Sequence, residues 1–235
     1  MLTKEFLSSN GIQFDGRDLD NDPKAAEELN ALGLKATPVT VVGDRAVVGF
    51  DVPALKEAFG IRGEVGGDLS AAEMLKKYRV VYEGAKRAIL QIPDEELEWV
   101  CPETGWTLRQ LSWHLFVRTD ACMQAVRSGH YTHEMLVQAD NLANNYRTTQ
   151  EIVEYANGLT ARLEDFLINQ THLLEKVVET YFTPRTGGSL LTLLLGQAVF
   201  HLKQIYHYLK VLGIEADRPL GEEEFSGITV PKTLF

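Results

Sequence analysis

Cysteine is scarce in this chain. Its 235 residues hold two, Cys101 and Cys122, with no pair at motif spacing. Such usage argues against a disulfide-stapled secreted domain and fits a reducing cytoplasm. Positive charge is also short: 23 Lys and Arg stand against 33 Asp and Glu, a formal net charge of -10. Nucleic acid is bound by clustered Lys and Arg. No basic stripe with interleaved aromatics occurs, so nucleic acid is not an expected partner. Long apolar runs are missing as well. The longest, 190–200, is interrupted by Thr192, Gly196 and Gln197 and is too short to span a bilayer. The segment after Met1 is polar and amphipathic, unlike a secretory signal. A cytoplasmic protein without a membrane partner is the expectation. What is present, 45% hydrophobic and 24% charged residues, suits ordinary globular packing.

The texture changes along the chain. Residues 1–60 alternate short elements. Extended character at 12–18 follows Gly11, and Asp22-Pro23 opens a helix that Gly33 stops. Val39–Val42 has strand character, Gly43-Asp44 supplies a turn, and Arg45–Val48 returns as the hairpin partner. A short helix closes the segment near Phe59, giving a βαββα order and an α/β module. The glycine-rich stretch 61–69 reads as a linker.

Beyond it the pattern becomes long and helical. Ser70-x-x-Glu73, Thr107-x-x-Gln110 and Thr148-x-x-Glu151 are capping boxes, in which hydroxyl and carboxylate or amide satisfy free backbone N–H groups. The helices they open run to about residues 92, 128 and 169, and a fourth covers 190–212 up to Gly213. Four such helices over 70–213 predict a four-helix bundle. The long connection 129–147 favours a crossover over a simple up-down path. A mixed tail, 214–235, follows.

Residues 1–60 resemble the glutaredoxin-like branch of the thioredoxin fold. The resemblance rests on Lys4-Glu5-Phe6-Leu7, the segment 12–18, Thr37-Pro38-Val39 and Gly49-Phe50-Asp51. It implies a cis Thr37–Pro38 bond facing a thiol substrate, with Gly49 and Asp51 helping to hold a glutathione-type thiol. It also implies a Cys-x-x-Cys that would fall just before Met1, so the module as given is expected not to be a thiol–disulfide oxidoreductase. Either the gene start is set too far downstream or the module serves packing or binding. The family's first strand would also be missing, and Gly227-Ile228-Thr229-Val230 has the β-propensity to fill that slot. The plain alternative is that Thr-Pro-Val is a loop entry and Gly-Phe-Asp a turn.

Residues 68–213 resemble the DinB-like four-helix family, through Trp106-Thr107-Leu108-Arg109-Gln110-Leu111-Ser112-Trp113-His114-Leu115 and His201-Leu202-Lys203-Gln204-Ile205. The resemblance implies a metal site with one His on the second helix and two on the last. His114 and His201 match; Gln197 stands where the family has its other His. Imidazole suits Zn²⁺ or Ni²⁺, whereas an amide is a weak ligand. Residues 197, 201, 204 and 208 share a helix face, a polar stripe that needs partners, water or a metal. Hydrogen-bonded core histidines are the competing reading. His130-x-x-His133 lies in a loop without a supporting frame. Cys122 reads as a buried small hydrophobe, and Cys101, in a loop, as an accessible thiol.

The expectation is an α+β two-domain protein: a truncated glutaredoxin-like α/β module fused to an all-α DinB-like bundle. Its function would be linked to a low-molecular-weight thiol, with a Zn or Ni ion on a degenerate site, as a metal-dependent transferase or isomerase. The alternatives are a non-catalytic binding or stress-response module and a homodimeric interaction protein.

Overall fold

The caps named by the sequence set most helix boundaries in the computed structural model of the protein. It describes all residues except 1, 10, 20, 35–36, 50, 62–68, 182–183, 231–233 and 235. The expected linker and the Phe50 of Gly49-Phe50-Asp51 thus fall largely or wholly outside the described residues. The chain divides into two compact units, Met1–Val65 and Gly66–Val230, the second including Leu234.

In the first unit, α1 (Leu2–Ser9) and α2 (Pro23–Ala31) precede a hairpin of β1 (Val39–Val42) and β2 (Arg45–Val48), followed by α3 (Val52–Ala58). Asp22 caps α2 by accepting from the Ala25 N–H at 3.0 Å, and Pro23 fits the first turn, whose N–H groups need no helical partner. In the antiparallel hairpin, Val42 faces Arg45, which leaves Gly43-Asp44 as a two-residue turn. Gly43 has φ 60°, the left-handed region such turns require. Leu7, Val47, Val48 and Leu55 are among the buried residues of its small core.

Two expectations fail here. Residues 12–18 form no strand among the described residues, so the order is ααββα rather than βαββα. A strand exists only through its ladder, and β1 and β2 pair solely with each other in the described sheet. The segment 227–230 does not join them either. It lies along the bundle, where the Thr229 carbonyl oxygen stands 2.4 Å from the position a Gly196 Cβ would take.

The second unit is built on α4 (Ala71–Leu90), α5 (Leu108–Ser128), α7 (Thr149–Asn169) and α8 (Gly187–Val211). All three predicted capping boxes form, at Ser70, Thr107 and Thr148. The fourth helix begins earlier than residue 190, because Thr186 accepts from the Ser189 N–H at 3.1 Å and caps it. Gly187 hid that start. A Cβ there would lie 2.8 Å from the Leu173 carbonyl, so glycine is needed for the close approach.

Helices α4 and α5 each pack against α7 and α8. Consecutive helices α4 and α5 therefore sit on a diagonal, as do α7 and α8. The long connection 129–147, expected to be the crossover, instead joins the neighbours α5 and α7 through β3 (His130–Tyr131) and α6 (His133–Asn141). β3 pairs in parallel with β4 (Val177–Thr180), which pairs antiparallel with β5 (Arg185–Thr186). α9 (Glu222–Phe225) lies in the tail and packs on α4.

Aromatic rings fill the interior. Tyr78, Tyr82 and Phe116 meet edge to face at 5.3 and 5.0 Å. The buried tyrosine hydroxyls are satisfied: Tyr82 reaches Thr119 Oγ1 at 2.8 Å and Tyr78 donates to the Leu191 carbonyl at 2.7 Å. Full burial of side chains of this size is worth about 1.5–3 kcal/mol each. Among the described residues, no helix is long and apolar enough to cross a membrane.

Candidate functional site

The bundle brings His114 from α5 and His201 from α8 together. Their ring centroids are 4.8 Å apart, edge to face. Trp106 packs on both, at 4.6 Å from His114 and 6.0 Å from His201. A tight loop presents that indole. The Cys101 N–H donates to the Trp106 carbonyl and the Gly105 N–H to the Cys101 carbonyl, each at 2.8 Å.

Each imidazole is anchored through Nδ1. His114 Nδ1 lies 3.0 Å from Asp140 Oδ1, and Arg118 donates to Asp140 Oδ2. Arg118 Nε also stands 3.4 Å from His114 Nδ1. Asp140 is delivered by α6, which Trp113 docks by donating from its indole N–H to the Ala139 carbonyl at 2.8 Å. His201 Nδ1 lies 2.9 Å from Gln204 Oε1, and Gln204 Nε2 donates to the Leu234 carbonyl at 3.1 Å. Neither Nε2 has a hydrogen bond among the described residues.

Burial pulls the His114 imidazole below its ordinary value, with Arg118 adding to the effect and Asp140 opposing it. Burial, reinforced by His114, lowers His201 to about 3. Both rings are therefore neutral at pH 7, the form that binds metal.

A cavity of about 120 Å³ opens beside His114. Its polar side carries His114, Arg118, Tyr131 and Gln197, and its apolar side Leu190, Leu193 and Leu194. The β3–β4 pair positions this mouth, with Tyr131 stacked 6.2 Å from Tyr181. Gln197 is exposed, while His114 is only 9% exposed. The three residues expected at a metal site are thus neighbours, but unequal ones. Among the described residues, no group of three His, Cys, Asp or Glu is placed to hold an ion. Imidazole is a ligand type that a zinc-class cation accepts, and an amide such as that of Gln197 is a weak one.

The rest of the polar stripe is satisfied within the protein. Gln204 bridges His201 and Leu234, and the Tyr208 hydroxyl donates to Glu103 Oε2 at 2.9 Å. Cys101, expected to be accessible, is 0% exposed, and burial pushes its thiol up to about 11. Cys122 is buried as expected.

In the first unit the Thr37–Pro38 bond is cis, and both residues are exposed. The Gly49 N–H donates to the Pro38 carbonyl at 2.7 Å, which joins two of the four residues expected to hold a thiol. Asp51 is 3% exposed and caps α3, accepting from the Ala54 N–H at 3.0 Å. That carboxylate has a structural duty.

The fold agrees with the comparisons. The chain matches the DinB superfamily over residues 77–205, more than half its length. It belongs to the DinB superfamily. The first unit matches the Glutaredoxin family over residues 2–47. The chain is also similar in fold to the crystal structure of a mycothiol-dependent maleylpyruvate isomerase, with a TM-score of 0.51 at 15% identity. That likeness covers 61% of this chain and 63% of the other, so the chain spans under two thirds of its length. No curated protein matches the chain in sequence.

The histidine pair has neighbours that sequence reasoning did not find. Arg118 lies one helical turn beyond His114 on α5, a spacing that could have flagged it. Asp140 and Tyr131 come from the α5–α7 connection, where no periodic pattern points to the site.

Proposed function

We propose that the bundle is a metal-dependent, thiol-handling site and that the protein is a transferase or isomerase using a low-molecular-weight thiol. One observation carries this reading: two neutral imidazoles, 4.8 Å apart, have Nδ1 engaged and Nε2 without a hydrogen bond among the described residues, and His114 lines an open cavity. A divalent cation held by His114 and His201, with Gln197 assisting, would supply a Lewis acid that favours a thiolate at neutral pH. Asp140 and Gln204 orient the two imidazoles. Trp106 and the leucine side keep water from one flank of the histidines. The mycothiol dependence of the structural neighbour supports a thiol partner. The glutaredoxin likeness supports a glutathione-type ligand for the first unit taken by itself, at the exposed Thr37 and Pro38 with Gly49 beside them. Thiol–disulfide exchange by Cys101 or Cys122 is not proposed, since both are buried.

The exposed Gln197 favours a second reading, a polar binding module without metal. Metal analysis separates the two. Protein purified without chelator or nickel resin should carry near-stoichiometric metal that His114→Ala loses. Absence of metal after incubation with Zn²⁺ and Ni²⁺ would leave the binding module. Turnover of an electrophile with glutathione or mycothiol then tests the reaction.

A further inference from the structure

We infer that Asp140 and Gln204 are positioning residues that lock His114 and His201 in the Nδ1–H tautomer, leaving both Nε2 lone pairs available. The inference rests on the proposed use of those nitrogens, but its geometry stands apart from any metal.

The argument starts at the end of the hydrogen-bond chain farthest from the site. A backbone carbonyl only accepts, so the Gln204 group 3.1 Å from the Leu234 carbonyl must be its NH₂. The amide oxygen therefore faces His201 Nδ1 at 2.9 Å. An oxygen at that position demands a donor, and His201 must carry its proton on Nδ1.

His114 is fixed by a contest between two neighbours of the same nitrogen. Asp140 Oδ1, at 3.0 Å, requires Nδ1–H, whereas Arg118 Nε, at 3.4 Å, would require a bare Nδ1. A bare Nδ1 would place two lone pairs face to face at 3.0 Å. The shorter, charge-assisted contact wins. Arg118 instead gives its guanidinium proton to Asp140 Oδ2, which holds the carboxylate in place. Asp140 comes from α6 and Leu234 from beyond α8, so two elements outside the four long helices set the two tautomers.

Long-range ¹H–¹⁵N correlation spectra of the metal-free full chain test this directly, because they distinguish Nδ1–H from Nε2–H for each of the six histidines. Wild type should show both His114 and His201 as Nδ1–H. Asp140→Ala removes the acceptor and leaves Arg118 to donate, so His114 should switch to Nε2–H while His201 stays unchanged as the folding control. Gln204→Leu should switch His201 alone, and Gln204→Glu should restore Nδ1–H. An Nε2–H pattern at either residue in wild type, or no switch in folded Asp140→Ala, overturns the inference. Zinc titration by calorimetry is the separate arm: Asp140→Ala should weaken binding by about 10–100-fold. Correct tautomers in a wild type that binds no zinc would uphold the lock and reject the metal reading.

Discussion

Trp113 and His114 are adjacent on α5 and serve different parts of one arrangement. Trp113 packs with Tyr146 and Tyr155 at 4.3 Å each and docks α6, and α6 brings the carboxylate that meets His114. The site is therefore coupled to the core one residue away. Asp22 shows a different use of a carboxylate. The Arg17 hydrogen bond at 2.7 Å, then the Ala25 N–H, hold it down at about 2, against an ordinary 3.8. Folding thus favours its ionised form. Its contribution is complete above 3.8 and is lost as pH falls through about 2. A ¹³C carboxyl titration should place the Asp22 midpoint near 2; a midpoint near 3.8 would show that the cap and ion pair do not hold in solution. At this scale the sequence pointed to His114, His201 and Gln197 as neighbours, because helical spacing and motif context are local. It concealed Asp140, since the carboxylate's role exists only once α6 is docked.

The helices owe their sharp starts to single hydroxyls. Thr107 accepts from the Gln110 N–H at 3.2 Å while the Gln110 amide oxygen accepts from the Thr107 N–H at 2.9 Å. Thr107→Ala should destabilise the bundle by about 1 kcal/mol. The expected sign is a lower urea midpoint at constant m-value, and an unchanged midpoint would mean water replaces the cap. Such reciprocal signals made α4, α5 and α7 readable in advance. The start of α8 was not readable, because glycines that permit a close approach look like a break in the pattern. The strand expected at 12–18 failed for another reason: β-propensity names a candidate, and only a neighbouring edge completes it. The β3–β4–β5 sheet was too short to leave any periodic trace.

At the scale of the whole second unit, the tail is part of the architecture rather than an appendage. Gln91 bonds the Glu215 carbonyl and the Asp217 N–H, both at 2.8 Å, and Arg87 reaches the Arg218 carbonyl at 2.9 Å. Lys77 donates to the Ser226 carbonyl, and the Leu220 N–H donates to the Tyr206 hydroxyl at 3.1 Å. Gly196 is the tightest point, since any Cβ would strike the Thr229 carbonyl. Gly196→Val should lift the segment around Thr229. Limited chymotrypsin digestion should then cut faster at Phe225, and wild-type resistance in the variant would argue that the tail can shift without detaching. One consequence follows from where Trp106 lies. The indole touches both histidines, so events at the site also change a fluorophore's surroundings. The difference in emission between the wild type and Trp106→Phe, which keeps Trp113 in place, becomes an optical gauge of site occupancy, with Ni²⁺ quenching separating a bound ion from an empty pair of rings.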